Sequence, residues 1–530
     1  MRNLTIAWML LAAWMGGSQP ALAVPEYAPH TAAEAQDGEA LLKDFKKLYR
    51  KFKTLPQKVE AIHALEDVQL PGVVDVLLPY LEDKEPAIVE AATDVISKLE
   101  PAEARAEVWD LALAKRQDPD KRLALLEITR RGAFDLPAER FPELEKLLGD
   151  KNWAVRRGAL LSWAVAGPEG RDLALVPLAS DGEPAVRASA LESLGTLKSE
   201  LLLPPGLAAL EDPVWQVRVS AMEGFARLRH KDSIEPLIDA LEREPGRLKD
   251  DAAQALTRIT GRDFGTTVKS WRRFWSDWGD RFVVPTEAEL AKRAEAKATA
   301  NSRYAMATQF NGIETPSVSM LFVIDVSGSM KHLMTDKERF QDRGYPSLAR
   351  IEIVKHELKK TVGALGDNVK FNVVAFGTEI EPWRKQLVSA NGLQKVAAQE
   401  WIDKLEPLGA SSKNADLIEA GLQSPDANNS GGGRTNTHDA LMYALGIVDA
   451  KGKPIRKADY RVEVDTVFFL SDGRPSAGPL VDPSDILRVV AEVNALRKAV
   501  IHTIALGDFD KRFMKTLAEG SGGQFVDLGQ

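Results

Sequence analysis

The chain has 530 residues, 44% of them apolar and 28% charged, a composition that folds into two to four domains and leaves little room for long disorder. Its 69 Lys and Arg against 77 Asp and Glu make a formal charge of -8, so no global basic field exists to hold a nucleic-acid backbone, and nucleic acid is excluded as the main partner. Cys is absent, which removes disulfides, thiolate metal sites and cysteine nucleophiles together.

Residues 1–23 carry Arg2, an apolar stretch from Leu4 to Met15, then Gly16, Gly17 and the small-x-small triplet Ala21, Leu22, Ala23. This is the layout of a secretory signal peptide cleaved after Ala23. The apolar stretch is too short to cross ~30 Å of hydrocarbon, so cleavage is expected over retention as an anchor. No later segment reaches ~18 consecutive apolar residues, so no transmembrane segment is expected after cleavage. The mature protein is expected to be periplasmic or secreted.

A repeat follows over residues 38–258. Asp150, Asp181 and Asp212 lie 31 residues apart, and each opens the pattern D-x4-V-R-x2-A. The copies read Asp150/Val155/Arg156/Ala159, Asp181/Val186/Arg187/Ala190 and Asp212/Val217/Arg218/Ala221. A weaker copy has Leu248, Lys249 and Ala252, and an earlier one has Asp83, Ile88 and Ala92. Val155, Ala159 and Trp163 share one helical face, as do Val186, Ala190 and Leu194, and Val217, Ala221 and Phe225. The small Ala admits a neighbouring helix, and the Asp ahead of each helix can cap free N–H groups. Such units cannot bury their apolar faces alone and must stack into an α-solenoid. The pattern resembles short bacterial HEAT repeats, and about seven units fit the segment. The repeated Arg is read as a brace between units; the alternative is a concave surface for a second protein partner.

Residues 259–284 carry Phe264, Trp271, Phe274, Trp275 and Trp278, the last four on one helical stripe. Aromatics at the end of an array hide the open face of its last unit, so this segment is expected to cap the solenoid. Residues 285–316 read as a linker. Its Ala-, Glu- and Lys-rich part, Glu287 to Ala300, suggests a helical spacer, and residues 301–316 a looser connection.

From residue 317 to 530 the character changes. Buried strand-like runs at Ser319–Val326, Lys370–Phe376, Val464–Leu470 and Val500–Leu506 alternate with helical patterns at Ile351–Leu365, Leu393–Leu405, Pro483–Leu496 and Lys511–Leu517. This alternation argues for an α/β doubly wound, Rossmann-like domain with its ligand site at the carboxyl ends of the strands. Polar oxygens gather at those ends. The first strand runs into Asp325-Val326-Ser327-Gly328-Ser329, a D-x-S-x-S turn that directs alternate oxygen-bearing side chains toward one point. Gly431–Leu441 is a Gly-rich loop entering a helix with Thr435 and Thr437 at its start, and Phe468–Gly473 releases Asp472 at a strand tip.

These motifs, in this order, resemble the von Willebrand factor A domain with its metal-ion-dependent adhesion site. The resemblance implies a metal site of Asp325, Ser327, Ser329, Thr435 and Asp472. It also implies Mg2+, which takes six hard oxygens and keeps several waters, with Mn2+ or Ca2+ as alternatives. Few anionic groups would touch the ion, so an exposed Asp or Glu of a protein partner can complete its coordination. The sequence departs from the family pattern at His438, where Gly is common, and at Ser471, where Thr is common. Charged Lys331–Pro346 and Gly-rich Ser411–Arg434 are expected to rim the site and set partner choice.

No HExxH helix, G-x-S-x-G elbow or Walker loop is present. His438 and Asp439 are the only acid/base pair beside the expected site, and adjacent helix positions are expected to point apart. The resulting expectation is an exported, non-enzymatic interaction protein of the adhesion type, with the solenoid as a second binding surface. A scaffold whose metal is structural and a metal-dependent hydrolase are the alternatives.

Overall fold

The computed structural model describes residues 32–291, 308–310, 313–334, 345–407, 433–455, 463–507 and 509–528. The expected signal peptide, most of the linker, the central part of Lys331–Pro346 and all but the last two residues of Ser411–Arg434 lie outside the described residues.

Helices fill residues 32 to 278. Within the clearest repeats, the second helices are Trp153–Ala166, Pro184–Thr196, Trp215–Leu228 and Gly246–Thr260. Each begins just past its repeat Asp, or past Glu244 in the last case. Ala159, Ala190, Ala221 and Ala252 are fully buried, as the spacing requires. Packing is close enough that a Cβ on Gly195 would sit 2.6 Å from the Cα of Gly224 on the next helix.

A polar ladder runs beside this core. Arg156 donates to both carboxylate oxygens of Asp181 at 2.8 and 2.7 Å, and Arg187 to those of Asp212 at 2.8 and 3.0 Å. Arg218 pairs with Glu244 at 2.9 Å. Each guanidinium also holds the carbonyl of its own unit's Asp: Asp150, Asp181 and Asp212. The same carboxylates accept from backbone N–H groups two residues on, at 2.8 Å from Asn152, Glu183 and Val214. One D…R pair thus shapes the turn within a unit and joins it to the next.

The helix Val268–Trp278 follows the last of these repeat helices. Trp271 is fully buried and its indole N–H donates to the carbonyl of Gly265 at 2.8 Å, while Phe264 and Trp275 pack on the same core. Trp278 stays half exposed, with the Arg281 guanidinium 4.4 Å above its ring.

Part of the segment expected to be a loose connection is ordered as strands. β1 (Thr308–Phe310) and β2 (Ile313–Thr315) pair antiparallel, and Ile313 is fully buried in the core of the following domain. The sheet of that domain contains β3 (Ser319–Asp325), β4 (Lys370–Phe376), β5 (Ile380–Pro382), β6 (Val388–Ser389), β7 (Thr466–Ser471), β8 (Val500–Ala505) and β9 (Phe525–Asp527). Its order is β5-β4-β3-β7-β8-β9, with β6 also on β4. β3, β4, β7, β8 and β9 are parallel, while β5 and β6 run antiparallel to β4.

Alternate residues of β3 face opposite cores. Met320, Phe322 and Ile324 meet the helices Arg350–Ala364 and Gly392–Asp403. Leu321 and Val323 meet Thr437–Ala444, Pro483–Arg497 and Lys511–Gly520. The chain leaves β3 toward β4 on one side and later returns to β7 on the other, which makes the β3–β7 crevice the topological switch point.

The two domains touch. Lys498, ahead of β8, places its ammonium 2.8 Å from Glu192 and 2.9 Å from Glu223, on successive solenoid helices. Arg247 donates to the carbonyls of Lys498 and, at 3.1 Å, Asp465. Arg488 pairs with Glu90, and Gly246 lies against Val318. Val318, Asp465 and Lys498 all precede strands, so the solenoid grips the sheet at the end opposite the strand tips. Part of the repeat surface, around Glu90, Glu192, Glu223 and Arg247, is therefore covered by this chain's own domain.

Candidate metal centre

β3 delivers Asp325 to the switch point, and the Gly328–Lys331 turn follows. The backbone after β3 is tied to its neighbours: Val326 N–H donates to the Phe376 carbonyl at the end of β4 at 2.8 Å, and Gly328 N–H to the Gly433 carbonyl at 3.0 Å. Asp325 Oδ1 accepts from the Ser327 backbone N–H at 2.8 Å, and its Oδ2 from the Ser471 hydroxyl at 2.6 Å. The first bond folds the turn back on the carboxylate, the second ties the carboxylate to the end of β7, and Asp325 is fully buried.

The hydroxyl oxygens of Ser327 and Ser329 lie 3.1 Å apart, and Ser329 donates to Asp472 Oδ1 at 2.7 Å. Thr435 joins them: a Cβ on Gly473 would stand 3.3 Å from the Thr435 hydroxyl and 3.6 Å from that of Ser329. The Thr435 segment is fixed by its own N–H to the Ser476 hydroxyl at 3.0 Å and by Asn436 N–H to Gly377 carbonyl at 2.9 Å. Asn436 then caps the helix Thr437–Ala444. Asp325, Ser327, Ser329, Thr435 and Asp472 thus gather at neighbouring strand tips, linked through Ser329, Gly473 and the Ser471 hydroxyl.

The donor set is all oxygen, with three hydroxyls and two carboxylates, and no nitrogen or sulfur among the five. That chemistry fits a hard divalent cation and not a soft one. Burial, and then the charge of Asp472, push the Asp325 carboxyl up to about 7, against the hydrogen bonds from Ser327 and Ser471 that favour its ionised form. Two carboxylates in a dry crevice repel each other, and a cation between them relieves that cost.

Three features of the site were not anticipated. The Arg350 guanidinium donates to Asp472 Oδ2 at 2.7 Å in a nearly dry pocket. The sequence held one signal for it: a cation at the first position of a helix opposes the helix dipole and gains from a carboxylate brought to it by the fold. Ser471, noted only as a replacement for Thr, is the hydroxyl that orients Asp325.

His438 and Asp439, expected to point apart, are hydrogen bonded, Nδ1 to Oδ1 at 2.8 Å, with Asn436 Nδ2 on the other carboxylate oxygen at 2.9 Å. Both occupy the first turn of their helix, where no preceding turn restricts the rotamers and neighbouring side chains can curl together.

Residues 319–527 match the family model of the von Willebrand factor type A domain, and residues 173–257 match that of HEAT repeats. The chain thus joins HEAT repeats to a von Willebrand factor type A domain. Among curated relatives, inter-alpha-trypsin inhibitor heavy chain H2 of Homo sapiens is 27% identical over 206 residues, covering 39% of this chain and 17% of the relative. Heavy chain H4 of Homo sapiens is also 27% identical, over 213 residues, covering 40% and 18%. The chain therefore spans less than a fifth of the length of these relatives. A solved von Willebrand factor type A protein from Catenulispora acidiphila is 17% identical with a TM-score of 0.27, covering 41% of this chain and 39% of that one.

Proposed function

We propose that this is an exported, non-enzymatic interaction protein of the adhesion type. A divalent cation held by Asp325, Ser327, Ser329, Thr435 and Asp472 would bridge to an Asp or Glu side chain on a protein partner. Mg2+ suits the site, with Mn2+ and Ca2+ as alternatives, because the donors are hard oxygens and only two are anionic. When bound, the ion supplies a coordination position for an outside carboxylate. The chain's own residues orient that position: Ser471 and the Ser327 N–H hold Asp325, and Ser329 holds Asp472.

The observation that supports this reading most is the Ser329 hydroxyl, 3.1 Å from Ser327 and 2.7 Å from Asp472 although 143 residues separate the latter pair. The A-domain relatives fit an interaction role. Export is read from residues 1–23, and no described helix is long and apolar enough to cross a membrane.

Titration calorimetry with Mn2+ and Mg2+ on the wild type and Asp325→Ala tests the ion. A pull-down from envelope extract, with Mg2+ or with chelator, tests the bridge. Ion uptake by the wild type alone and partner recovery abolished by chelator are expected; equal recovery in every condition sinks the metal bridge.

A hydrolytic reading draws on one observation, the His438–Asp439–Asn436 chain, in which a carboxylate orients an imidazole as in a general base. Phosphoester turnover that needs Mg2+ and disappears in His438→Gln would favour it over pure binding.

A further inference from the structure

Arg350 opens the helix Arg350–Ala364, whose N-cap, Ala349, makes no side-chain capping bond. A guanidinium there faces the positive end of the helix dipole and gains nothing locally. The fold nevertheless builds a seat for it. Its backbone N–H donates to His332 carbonyl at 3.0 Å, next to the Leu333–Ala349 bridge and the 2.9 Å bond from Met334 N–H to Leu348 carbonyl. The guanidinium lies over Gly507, at φ +76°, where any Cβ would overlap it. Nη1 then takes the one oxygen of Asp472 that Ser329 leaves free.

We propose that Arg350 is a resident counter-cation of this site. It balances Asp472 when no ion is present, aims Oδ1 at the hydroxyl cluster, and weakens the hold on a divalent ion so that the ion keeps positive charge for an outside carboxylate. The inference rests on the metal-binding reading above. Around a bound ion both carboxylates are ionised and, with the guanidinium, sum to one negative charge, so a divalent ion leaves the site net positive. Without the guanidinium the same ion would be neutralised by its own ligands and would attract a partner's carboxylate less.

The test uses the full chain and Mn2+ as the probe, in wild type, Arg350→Gln and Arg350→Lys. Gln can still donate to Asp472 but carries no charge; Lys keeps the charge. Arg350→Gln is expected to bind Mn2+ about ten-fold more tightly, because a like charge beside the ion has gone. In chelator it should melt at a lower temperature than the wild type and gain more on adding Mn2+. Arg350→Lys should stay within about two-fold of wild-type affinity, since its charge is retained.

Folded Arg350→Gln with unchanged or weaker Mn2+ binding overturns the role. If Arg350→Gln fails to fold with or without Mn2+, the double variant Arg350→Gln/Asp472→Asn decides. Restored folding supports charge balance, and continued failure overturns it. If the wild type itself takes up no Mn2+, the metal reading falls; if it does and Arg350→Gln matches it, only the role of Arg350 falls.

Discussion

Asp325 carries the sharpest pH dependence of the site. Its folded pKa, about 7, lies above an unfolded value of about 4, so the folded protein holds a proton that the unfolded chain has released. Metal-free protein therefore loses stability through this group as pH rises from about 4 to 7, and keeps it at lower pH. Asp325→Asn stays neutral throughout. In chelator its stability relative to wild type is expected to improve by about 2 kcal/mol between pH 5 and pH 8, measured by urea unfolding at each pH; a gap that stays flat would show that Asp325 ionises freely. The proposed metal binding would run the other way, because an ion needs the carboxylate. Mn2+ affinity is expected to fall about ten-fold per pH unit below 7, with proton release on binding, read from calorimetry in buffers of different ionisation enthalpy.

Among the elements, the repeat helices are held by close approach and by the Arg ladder, and each can be removed separately. Gly195→Ala puts a methyl group onto the backbone of Gly224 and is expected to cost about 1–3 kcal/mol by forcing the helices apart. Gly182→Ala meets open space and should change stability by no more than about 0.5 kcal/mol; equal effects at the two positions would contradict the packing argument. Arg187→Ala breaks the bidentate pair with Asp212 and the bond to Asp181 carbonyl. At partly buried positions this should cost about 1–2 kcal/mol, with denaturant unfolding as the measurement. The weaker fourth repeat keeps the ladder by substituting Glu244 for Asp, a longer side chain doing the same work from a shifted position.

For the molecule as a whole, Lys498 joins the solenoid to the A domain. It stands in left-handed backbone, φ +57°, at the end of its helix, where Gly is the usual residue. The ammonium between Glu192 and Glu223 offsets that strain. Lys498→Gly relieves the backbone but takes the shared ammonium from both carboxylates, leaving Glu223 with Arg227 and Glu192 with the Ser220 hydroxyl. It is expected to lower stability by about 2 kcal/mol and to raise protease sensitivity between the domains, while Mn2+ binding at the opposite end of the sheet stays unchanged. Wild-type protease resistance in this variant would show that the contact does not hold the domains together.

How much of this was legible in the residues depends on how far apart in the chain the cooperating groups lie. The 31-residue step and the four principal strands could be read because helical periodicity, strand alternation and turn chemistry act over a few neighbours. The oxygen-rich segments could be read for the same reason, each being a short turn or strand end. Arg350 and Asp472 meet across 122 residues, and Lys498 and Glu223 across 275. Neither pair leaves a local pattern, because a charge finds its partner through the folded topology and not through the chain. The curl of His438 onto Asp439 likewise depends on where their helix starts. Composition and periodicity therefore decide which elements form, whereas the charge balance of the site and the face on which the two domains meet are set by packing, since buried ions are stable only where distant chain segments bring them a partner.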